Sequence, residues 1–473
     1  MSKNFDAQNQ DAQEHDAQDP ELSDDSLFQT HADRVYRDLL DRVGVLGLQP
    51  RLAPTRRVVE LLGDPQRAYP IVHITGTNGK TSTSRMIESL LRAHGLRTGL
   101  LTSPHLTRLN ERIVIDGEPI SNEALVNNWQ DIQPYVAMVD AELDATNEPR
   151  LTFFEAFTAL AFASFADAPV DVAVIEVGMG GEWDSTNVGD GQVAVFTPIA
   201  LDHTKRLGST VAEIARTKAG IIKPAAAVVS ALQTPDALAE LVRAAELTES
   251  TLAVQGSAFS LVTNTVAVGG QVITVKGLAG TYPDLFLPLF GDHQAQNATV
   301  AIAAVESFLG GGTQVLSQDV VAEGLATATS PGRLQVIGIE PTVIIDAAHN
   351  PHGATALAKA IGSYFTFDEI TIVLGILADK DARGIITALA PVAARFQVTQ
   401  SSSERAVPAE DLEEIVRELT ESGVSHEFHT LEAAIEDARG WALEAPRRAV
   451  LITGSITMIG DALVLAEEQG WKR

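Results

Sequence analysis

The sequence predicts an α/β protein, because short apolar runs alternate with amphipathic helical segments along most of the chain. The run 71–74 is a buried strand by its length and β-branched residues, and apolar residues at helical spacing follow over 82–94. A glycine-rich loop lies between them. These observations predict a P-loop parallel-sheet domain with a small β-rich edge, and a second α/β series predicts a Rossmann-like C-terminal domain.

An acidic segment, residues 1–28, precedes the first predicted element. It holds eight acidic residues and one lysine, and it repeats Asp-Ala-Gln at positions 6, 11 and 16. Such a segment buries too little apolar surface to offset its chain entropy. We expect a disordered tail that increases solubility.

The first domain, expected at residues 29–330, contains further strands at 98–101, 171–175 and 193–199. Residues 251–289 are rich in β-forming residues, and Gly269-Gly270 is typical of a hairpin turn. This region predicts an antiparallel insertion or edge sheet.

The second domain is expected at residues 331–473, after Ser330-Pro331-Gly332. Strands are predicted at 343–345, 370–374, 396–399 and 449–452, with helices at 354–364 and 408–422 between them. This alternation is typical of a small Rossmann-like domain.

The composition excludes several classes of protein. Acidic residues number 62 and basic residues 34, giving a net charge of −28 that disfavours nucleic acid and anionic membranes as partners. The absence of cysteine excludes disulfides and a thiol nucleophile. No signal peptide or long apolar run is found. We therefore expect a cytoplasmic protein, and we expect it to be a monomer.

The loop Gly76-Thr77-Asn78-Gly79-Lys80-Thr81 lies between a strand and a helix, which is the context that a phosphate-binding loop requires. Its spacing is shorter than the general pattern, because Ile74 occupies the position of the first glycine. A plain strand-to-helix turn needs the glycines but not the lysine and threonine that follow them. The loop therefore predicts nucleotide binding.

Polar residues end several predicted strands. They are Ser103, Glu176 and the pair Asp202-His203, and they are expected to meet Thr81 at one edge of the sheet. Oxygen ligands with an occasional imidazole suit Mg²⁺. Each residue alone has an ordinary alternative as a turn residue, a buried ion-pair partner or a loop histidine. Their shared position beside the phosphate loop favours a metal site.

Two further segments are candidates. Gly178-Met179-Gly180-Gly181 is followed by Trp183-Asp184-Ser185, a polar and aromatic set able to grip a planar ligand, although a plain glycine-rich turn has the same composition. Lys218 ends a helical run that begins near Val211, where burial would lower the pKa of its amine. A salt-bridged surface lysine is the alternative.

Together these segments resemble the folylpolyglutamate synthase and dihydrofolate synthase family, a branch of the group that contains the Mur ligases. The resemblance runs from about residue 38 to the C-terminus. It rests on an ordered series of motifs: GTNGKTS from Gly76, TSPHL and NERI between Thr102 and Ile113, EVGMGG from Glu176, LDHT from Leu201, KAGIIKP from Lys218, GDHQAQN from Gly291, SPGRL from Ser330 and DAAHNP from Asp346.

The resemblance implies a role for each matching position. The nucleotide site would comprise Thr77, Asn78, Gly79, Lys80, Thr81, Ser82, Asn297, Arg333, Asp346 and His349. Two Mg²⁺ sites would use Thr81, Ser103, Glu176, His203 and a carbamylated Lys218, and the catalytic set would be Lys80, Glu176, His203 and Lys218. The pterin end of the substrate would contact Thr152, Phe153, Phe154, Glu155, Trp183, Asp184 and Ser185.

Two positions depart from the family pattern. Thr81 follows the loop lysine where many folate ligases have glycine, and GKT is also the Mur form. Glu182 stands where the family usually has arginine, which predicts a reversed charge beside the pterin pocket.

The activity that the resemblance implies is ATP-dependent addition of L-glutamate to dihydropteroate or reduced folates, through an acyl phosphate. A Mur-type ligase acting on a UDP-muramoyl precursor is the alternative. We expect it to need a UDP-binding domain ahead of the phosphate loop, where only 75 residues precede Gly76. A P-loop ATPase switch without ligase activity would leave the other motifs unexplained.

Overall fold

The structure, a computed structural model, describes residues 24–42, 50–403, 405–420 and 425–471. The helices of this part of the chain are α1 Asp24–Leu40, α2 Ala53–Leu61, α3 Lys80–Ala93, α4 Asn122–Ala145, α5 Phe153–Asp167, α6 Thr204–Leu207, α7 Val211–Ala219, α8 Pro235–Leu247, α9 Asp292–Gly310, α10 Gln318–Ala326, α11 Pro351–Tyr364, α12 Ala382–Leu389, α13 Ala409–Leu419, α14 Leu431–Leu443 and α15 Ile456–Glu468.

The strands of the same ranges are β1 Ile71–Thr75, β2 Thr98–Leu101, β3 Ile113–Ile115, β4 Glu118–Pro119, β5 Val172–Glu176, β6 Gly191–Phe196, β7 Ala227–Ser230, β8 Thr251–Val254, β9 Ser260–Ala267, β10 Gly270–Lys276, β11 Thr281–Leu287, β12 Gln335–Gly338, β13 Thr342–Asp346, β14 Glu369–Leu374, β15 Arg395–Val398, β16 Ser425–Glu427 and β17 Arg448–Thr453.

An eight-stranded sheet with the order β4-β3-β2-β5-β1-β6-β7-β8 forms the centre of the larger half. The six strands β2, β5, β1, β6, β7 and β8 pair in parallel. Only β3 and β4, at one edge of the sheet, are antiparallel. Strand β1 is buried along its whole length, because helices cover both faces. β8 belongs to this sheet and pairs in parallel with β7, so the β-rich region predicted from residue 251 begins one strand too early.

The antiparallel insertion is a three-stranded sheet with the order β11-β10-β9. The turn between β9 and β10 falls at Val268-Gly269, and Gly270 already belongs to β10. The prediction of a hairpin here is therefore confirmed with a shift of one residue. Glu306 of α9 accepts hydrogen bonds from the backbone of Leu278 and from the Tyr282 hydroxyl, which holds this sheet against the larger half.

The second α/β series folds into a six-stranded sheet with the order β12-β13-β17-β14-β15-β16. Only β12 is antiparallel, and the remaining strands run in parallel. Helices α11 to α13 cover one face and α14 and α15 the other. The four predicted strands and both predicted helices of this region are present, with bounds that differ by one to three residues.

The N-terminal prediction is partly corrected. Helix α1 begins at Asp24, so residues 24–28, assigned to the acidic tail, belong to a helix. Ala32, Val35 and Leu39 of this helix are buried in the core beside α4 and α5, and acidic residues at its N-terminus suit the helix dipole, so burial and charge both favour a helix here. The rest of the predicted tail, residues 1–23, lies outside the described residues. In the described ranges, no helix is long and apolar enough to span a bilayer.

Candidate active site

A cavity of about 1050 Å³ lies where the eight-stranded sheet faces the six-stranded sheet. The carboxyl ends of the parallel strands open onto it, as expected for ligand sites in open α/β sheets. We call its first side the large-sheet wall, which comprises Gly76–Ser82, Ser103, Glu176, Gly178–Gly180, Trp183–Ser185, Asp202, His203 and Lys218. The facing small-sheet wall comprises Arg333, Asp346, His349, His352 and Lys380, which line the cavity, together with Asn350, which is buried between His349 and His352 in the chain.

The phosphate loop connects β1 directly to α3. Gly79 has a φ of 87°, and a Cβ atom there would lie 2.8 Å from the Oδ1 atom of Asn297, so the position requires glycine. Lys80 begins α3, and its Nζ atom lies 3.3 Å from the carbonyl oxygens of both Gly76 and Thr77. The loop, Lys80 and Asn297 are therefore together, as the sequence predicts.

Thr77 lines the cavity, but its polar groups are engaged by the protein, and its nucleotide role stays a prediction. Its N–H donates to the carbonyl of Pro198 at 2.9 Å, and its hydroxyl donates to the carbonyl of Ala200 at 3.0 Å. These contacts attach the loop to the segment after β6. Thr77 thus holds the phosphate loop in place, and its polar groups are already engaged by the protein.

Three predicted metal ligands are in direct contact. The Thr81 hydroxyl lies 3.0 Å from both carboxylate oxygens of Glu176, and the Ser103 N–H lies 3.4 Å from one of them. Burial raises the pKa of Glu176, while Lys80 and the Thr81 hydrogen bond oppose that rise. The described residues contain no group of three or more His, Cys, Asp or Glu side chains arranged to hold a metal. This cluster instead consists of one carboxylate and two hydroxyl residues.

Lys218 is buried beneath the phosphate loop. Its Nζ atom donates to the carbonyl of Gly76 at 2.7 Å, and only 4% of the residue is exposed. Burial, followed by repulsion from Lys80, lowers the pKa of this amine to about 7. The alternative of a salt-bridged surface lysine is therefore wrong.

Asp202 is the point where the two walls meet. Lys380 of the small-sheet wall lies 3.0 Å from its Oδ1 atom, and both side chains are about nine-tenths buried. The imidazoles of His203 and His349 lie 3.9 and 3.8 Å from Oδ2. Burial opposes ionisation of Asp202, but the nearby His203 and Lys380 outweigh it and lower its pKa to about 2. Burial also lowers the pKa of His203 to about 4, which leaves a neutral imidazole able to bind a metal.

The small-sheet wall contributes a second charged pair. Burial raises the pKa of Asp346, and the charge of Arg333 opposes that effect. The carboxylate accepts the N–H groups of Leu334 and Ala348, both at 2.8 Å, and so links the residue before β12 to the segment after β13. Arg333 and Asp346 therefore lie together in the cavity wall, as predicted.

The loop 178–187 contributes a further part of the cavity lining. Trp183, Asp184 and Ser185 line it, and Phe154 packs so closely that a Cβ atom on Gly178 would lie 2.6 Å from its ring. Asp184 is buried and accepts the Met179 N–H at 2.8 Å. An aromatic ring and a carboxylate thus face the same space.

Of the segment 152–155, the side chain of Phe153 does not line the cavity. Its ring stacks on Phe157 at 5.9 Å and lies under the guanidinium of Arg112, 5.1 Å away. Phe154 lines the cavity, as do Thr152 and Glu155. Thr152 and Glu155 form the capping box of α5, and Glu155 also binds Arg51 through two 2.8 Å contacts. Their polar groups therefore hold α5 and Arg51 in position.

Glu182 does not line the substrate end of the cavity, and the predicted effect of its charge there stays a prediction. Its side chain is exposed and lies outside the cavity wall. The residue contributes through its backbone, because its N–H donates to the carbonyl of Thr217 at 2.8 Å. The departure from the family pattern is thus a surface substitution.

Half of the small-sheet wall was not predicted from the sequence: Asn350, His352 and Lys380. Asn350 exchanges two amide hydrogen bonds with Asn78 at 3.0 and 3.3 Å, and His352 lies 2.9 Å from the same amide. Lys380 follows β14 in the run Ala378-Asp379-Lys380. Applying the strand-end rule to the second α/β series would have found Lys380, whereas Asn78 gave no sign that it pairs across the cavity.

Comparison with known families matches both halves of the chain. The model of the Mur ligase middle domain matches residues 74–305, and that of the Mur ligase glutamate ligase domain matches residues 332–456. The fold and the site therefore define an α/β ligase of the Mur class.

Within that class, the chain belongs to the dihydrofolate synthase/folylpolyglutamate synthase family. It is 44% identical to the dihydrofolate synthase/folylpolyglutamate synthase of Mycobacterium tuberculosis, over 88% of this chain and 90% of the relative. It is 38% identical to the folylpolyglutamate synthase of Lacticaseibacillus casei, over 86% of this chain and 94% of the relative.

Two solved structures of this family are similar to the chain over most of its length. The Mycobacterium tuberculosis folylpolyglutamate synthase complexed with ADP has a TM-score of 0.89 at 43% identity, covering 94% of this chain and 99% of that one. E. coli FolC in complex with DHPP and ADP has a TM-score of 0.80 at 28% identity, covering 92% and 98%.

Proposed function

We propose that this protein is an ATP-dependent ligase that adds L-glutamate to dihydropteroate and to reduced folates. The observation that carries the proposal is that a phosphate loop, an oxygen-ligand cluster and an aromatic-lined loop open onto one cavity. The relatives named dihydrofolate synthase/folylpolyglutamate synthase support the same reaction. The E. coli relative with DHPP and ADP supports a pterin and a nucleotide binding to one chain.

The residues of the large-sheet wall fit Mg²⁺. Thr81 and Glu176 present oxygen atoms 3.0 Å apart, Ser103 adjoins them, and hard oxygen ligands are those that this ion prefers. We propose these three for one ion, and Glu176 with His203 and Lys218 for a second. Mg²⁺ bound there would supply positive charge to the phosphate oxygens.

In the proposed reaction, a substrate carboxylate oxygen attacks the γ-phosphorus of ATP, and ADP leaves. The glutamate amine then attacks the acyl carbon, and phosphate leaves with the oxygen that made the attack. Lys80 places its charge beside the phosphate loop, where negative charge develops. Asn297, Arg333, Asp346 and His349 are proposed to hold the nucleotide between the walls.

Lys218 is proposed to act as a carbamate. An amine with a pKa near 7 is largely neutral at physiological pH, and a neutral amine can add CO₂. The modification would turn a buried amine, which Lys80 repels when it is protonated, into an anion that faces Lys80. It would also remove the repulsion between the two lysines and provide an oxygen ligand.

The chain is proposed to divide at residues 330 and 331, with the ligase domain at 29–330 and the glutamate ligase domain at 331–473. The two sheets support this boundary, because β11 ends at Leu287 and β12 begins at Gln335. The monomeric state and the cytoplasmic location stay predictions from the sequence.

The test is ADP release by the purified protein in the presence of ATP, Mg²⁺ and L-glutamate. Dihydropteroate, a reduced folate and a UDP-muramoyl substrate are added in separate reactions. We expect release with the two pterin substrates and none above background with the third. Release with the UDP-muramoyl substrate alone would assign the chain to the Mur branch.

A further inference from the structure

Strand β1 carries two polar side chains that both reach the loop 178–187. His73 and Thr75 are alternate residues of the strand and therefore share one face. The Nε2 atom of His73 lies 2.9 Å from the hydroxyl oxygen of Thr186, and the Thr75 hydroxyl donates to the carbonyl of Gly180 at 2.8 Å. The strand that leads into the phosphate loop thus also holds the substrate end of the cavity.

The contact between His73 and Thr186 continues to the cavity wall. The Thr186 hydroxyl lies 2.6 Å from the Oδ1 atom of Asp184. That carboxylate also accepts the backbone N–H of Thr186 at 3.0 Å and that of Met179 at 2.8 Å. A group that accepts several N–H donors is best satisfied as an ionised carboxylate. Asp184 therefore accepts the Thr186 proton, although its burial raises its pKa.

The direction of the hydrogen bond from Thr186 to Asp184 determines which ring nitrogen of His73 carries the proton. A hydroxyl has one proton, and Thr186 gives it to Asp184, so Nε2 of His73 must donate its own proton to the Thr186 oxygen. Its Nδ1 atom is then an unprotonated acceptor, and it is buried without a hydrogen-bond partner among the described residues. Burial, with a smaller contribution from Lys223, lowers the pKa of His73 to about 3, so the ring stays neutral.

We propose that His73 is a positioning residue for the heterocyclic end of the substrate, acting through Thr186 on the Asp184 carboxylate. The inference rests on the proposed function, because Asp184 lines the part of the cavity assigned to the pterin. A fixed carboxylate can accept hydrogen bonds from the amino and ring N–H groups of an aminopterin. Since β1 continues into Gly76, the same strand aligns this end of the substrate with the phosphate loop.

The kinetic test compares three variants. His73→Leu removes the Nε2 donor, His73→Gln offers an amide donor at a similar reach, and Val72→Ala is the control. Val72 is a fully buried neighbour on the opposite face of β1, so its truncation destabilises the strand without touching the loop. We expect His73→Leu to raise the KM for dihydropteroate about tenfold while the KM for ATP changes less than about twofold.

We expect the KM values of His73→Gln and Val72→Ala to stay near that of the wild-type protein. Equal KM changes in His73→Leu and Val72→Ala would overturn the proposal. A folded His73→Gln whose KM for dihydropteroate is as high as that of His73→Leu would also overturn it.

If His73→Leu fails to fold, the tautomer of His73 in the wild-type protein tests the proposal instead. A long-range ¹H–¹⁵N spectrum of histidine-labelled protein, assigned by the signals lost in His73→Gln, should show the proton on Nε2. A proton on Nδ1 would overturn the proposal.

This spectrum needs no turnover, so it separates the inference from the proposed function. A wild-type protein that turns over neither pterin substrate would refute the proposed function, and with it the positioning role, whatever the tautomer. A wild-type protein that turns over dihydropteroate but carries the proton on Nδ1 would refute the positioning role alone.

Discussion

The large-sheet wall holds its functional groups by short contacts within one half of the molecule, whereas the small-sheet wall holds several of its groups by contacts across the cavity. Thr81 in the first turn of α3 and Glu176 at the end of β5 belong to the same half of the molecule, and their side-chain oxygens are 3.0 Å apart. Lys380 and Asn350 instead bind Asp202 and Asn78 of the other wall. The first wall is thus set by its own fold, and the second depends on how the two halves close.

This difference predicts that the large-sheet wall carries the chemical step. Lys80→Ala should lower ADP release at least about a thousandfold, because the charge beside the transferred phosphoryl group is lost. Lys276→Ala, which truncates an exposed lysine on β10, is the control and should retain activity. Circular dichroism checks that both variants are folded. Undiminished turnover in Lys80→Ala would refute the phosphate-loop assignment.

The proposed carbamate on Lys218 predicts the next largest loss of turnover. Lys218→Ala should lower turnover about a hundredfold, because a metal ligand would be missing. Protein equilibrated with ¹³C-bicarbonate should give a carbamate carbon signal that Lys218→Ala lacks and that Lys223→Ala, at a half-buried lysine nearby, retains. A signal that persists in Lys218→Ala would place the modification elsewhere. No signal in any protein would remove Lys218 from the metal site.

The small-sheet wall should affect activity by holding the two halves of the molecule together across the cavity. Lys380→Ala leaves Asp202 buried without its lysine partner, and we expect kcat/KM to fall about tenfold to a hundredfold. Lys359→Ala is the matched control, because its ion pair with Asp292 also joins the two halves but is half exposed or more. Exposed pairs contribute about 0–1 kcal/mol, so kcat/KM of this variant should fall less than about fivefold. Equal losses in both variants would contradict a specific role for Lys380.

The smallest effect is expected at Glu182. Glu182→Arg restores the residue typical of the family, but the side chain is exposed and outside the cavity. The KM for dihydropteroate should therefore change less than about twofold. A tenfold decrease, measured by the same ADP-release assay, would show that residue 182 reaches the substrate after all.

The same difference explains what could be predicted from the sequence. Thr81, Ser103 and Glu176 were predictable because the carboxyl ends of parallel strands must meet at one edge of a sheet. The same rule applied to the second α/β series would have found Lys380 but not its partner Asp202, and nothing in the sequence indicated the pairing of Asn350 with Asn78, because both partners lie more than 170 residues away in the other half. No local pattern records how two separately folded halves face each other.

The direction of individual side chains was the second feature of the site that could not be predicted from the sequence. Thr77 and Phe153 belong to motifs whose position is right, yet one side chain turns toward Ala200 and the other packs on Phe157. Glu182 follows a buried double glycine but points outward. A motif indicates where the backbone lies, while packing by neighbouring elements decides which way each side chain faces.

The central claim is that a substrate carboxylate is activated by phosphorylation in this cavity, and oxygen transfer tests it most directly. Dihydropteroate labelled with ¹⁸O in its carboxylate is incubated with the protein, ATP, Mg²⁺ and L-glutamate in unlabelled water, and the released phosphate is analysed by mass spectrometry. An acyl phosphate predicts one ¹⁸O atom in each phosphate formed with product. Unlabelled phosphate would mean that water attacks ATP, and would contradict the account.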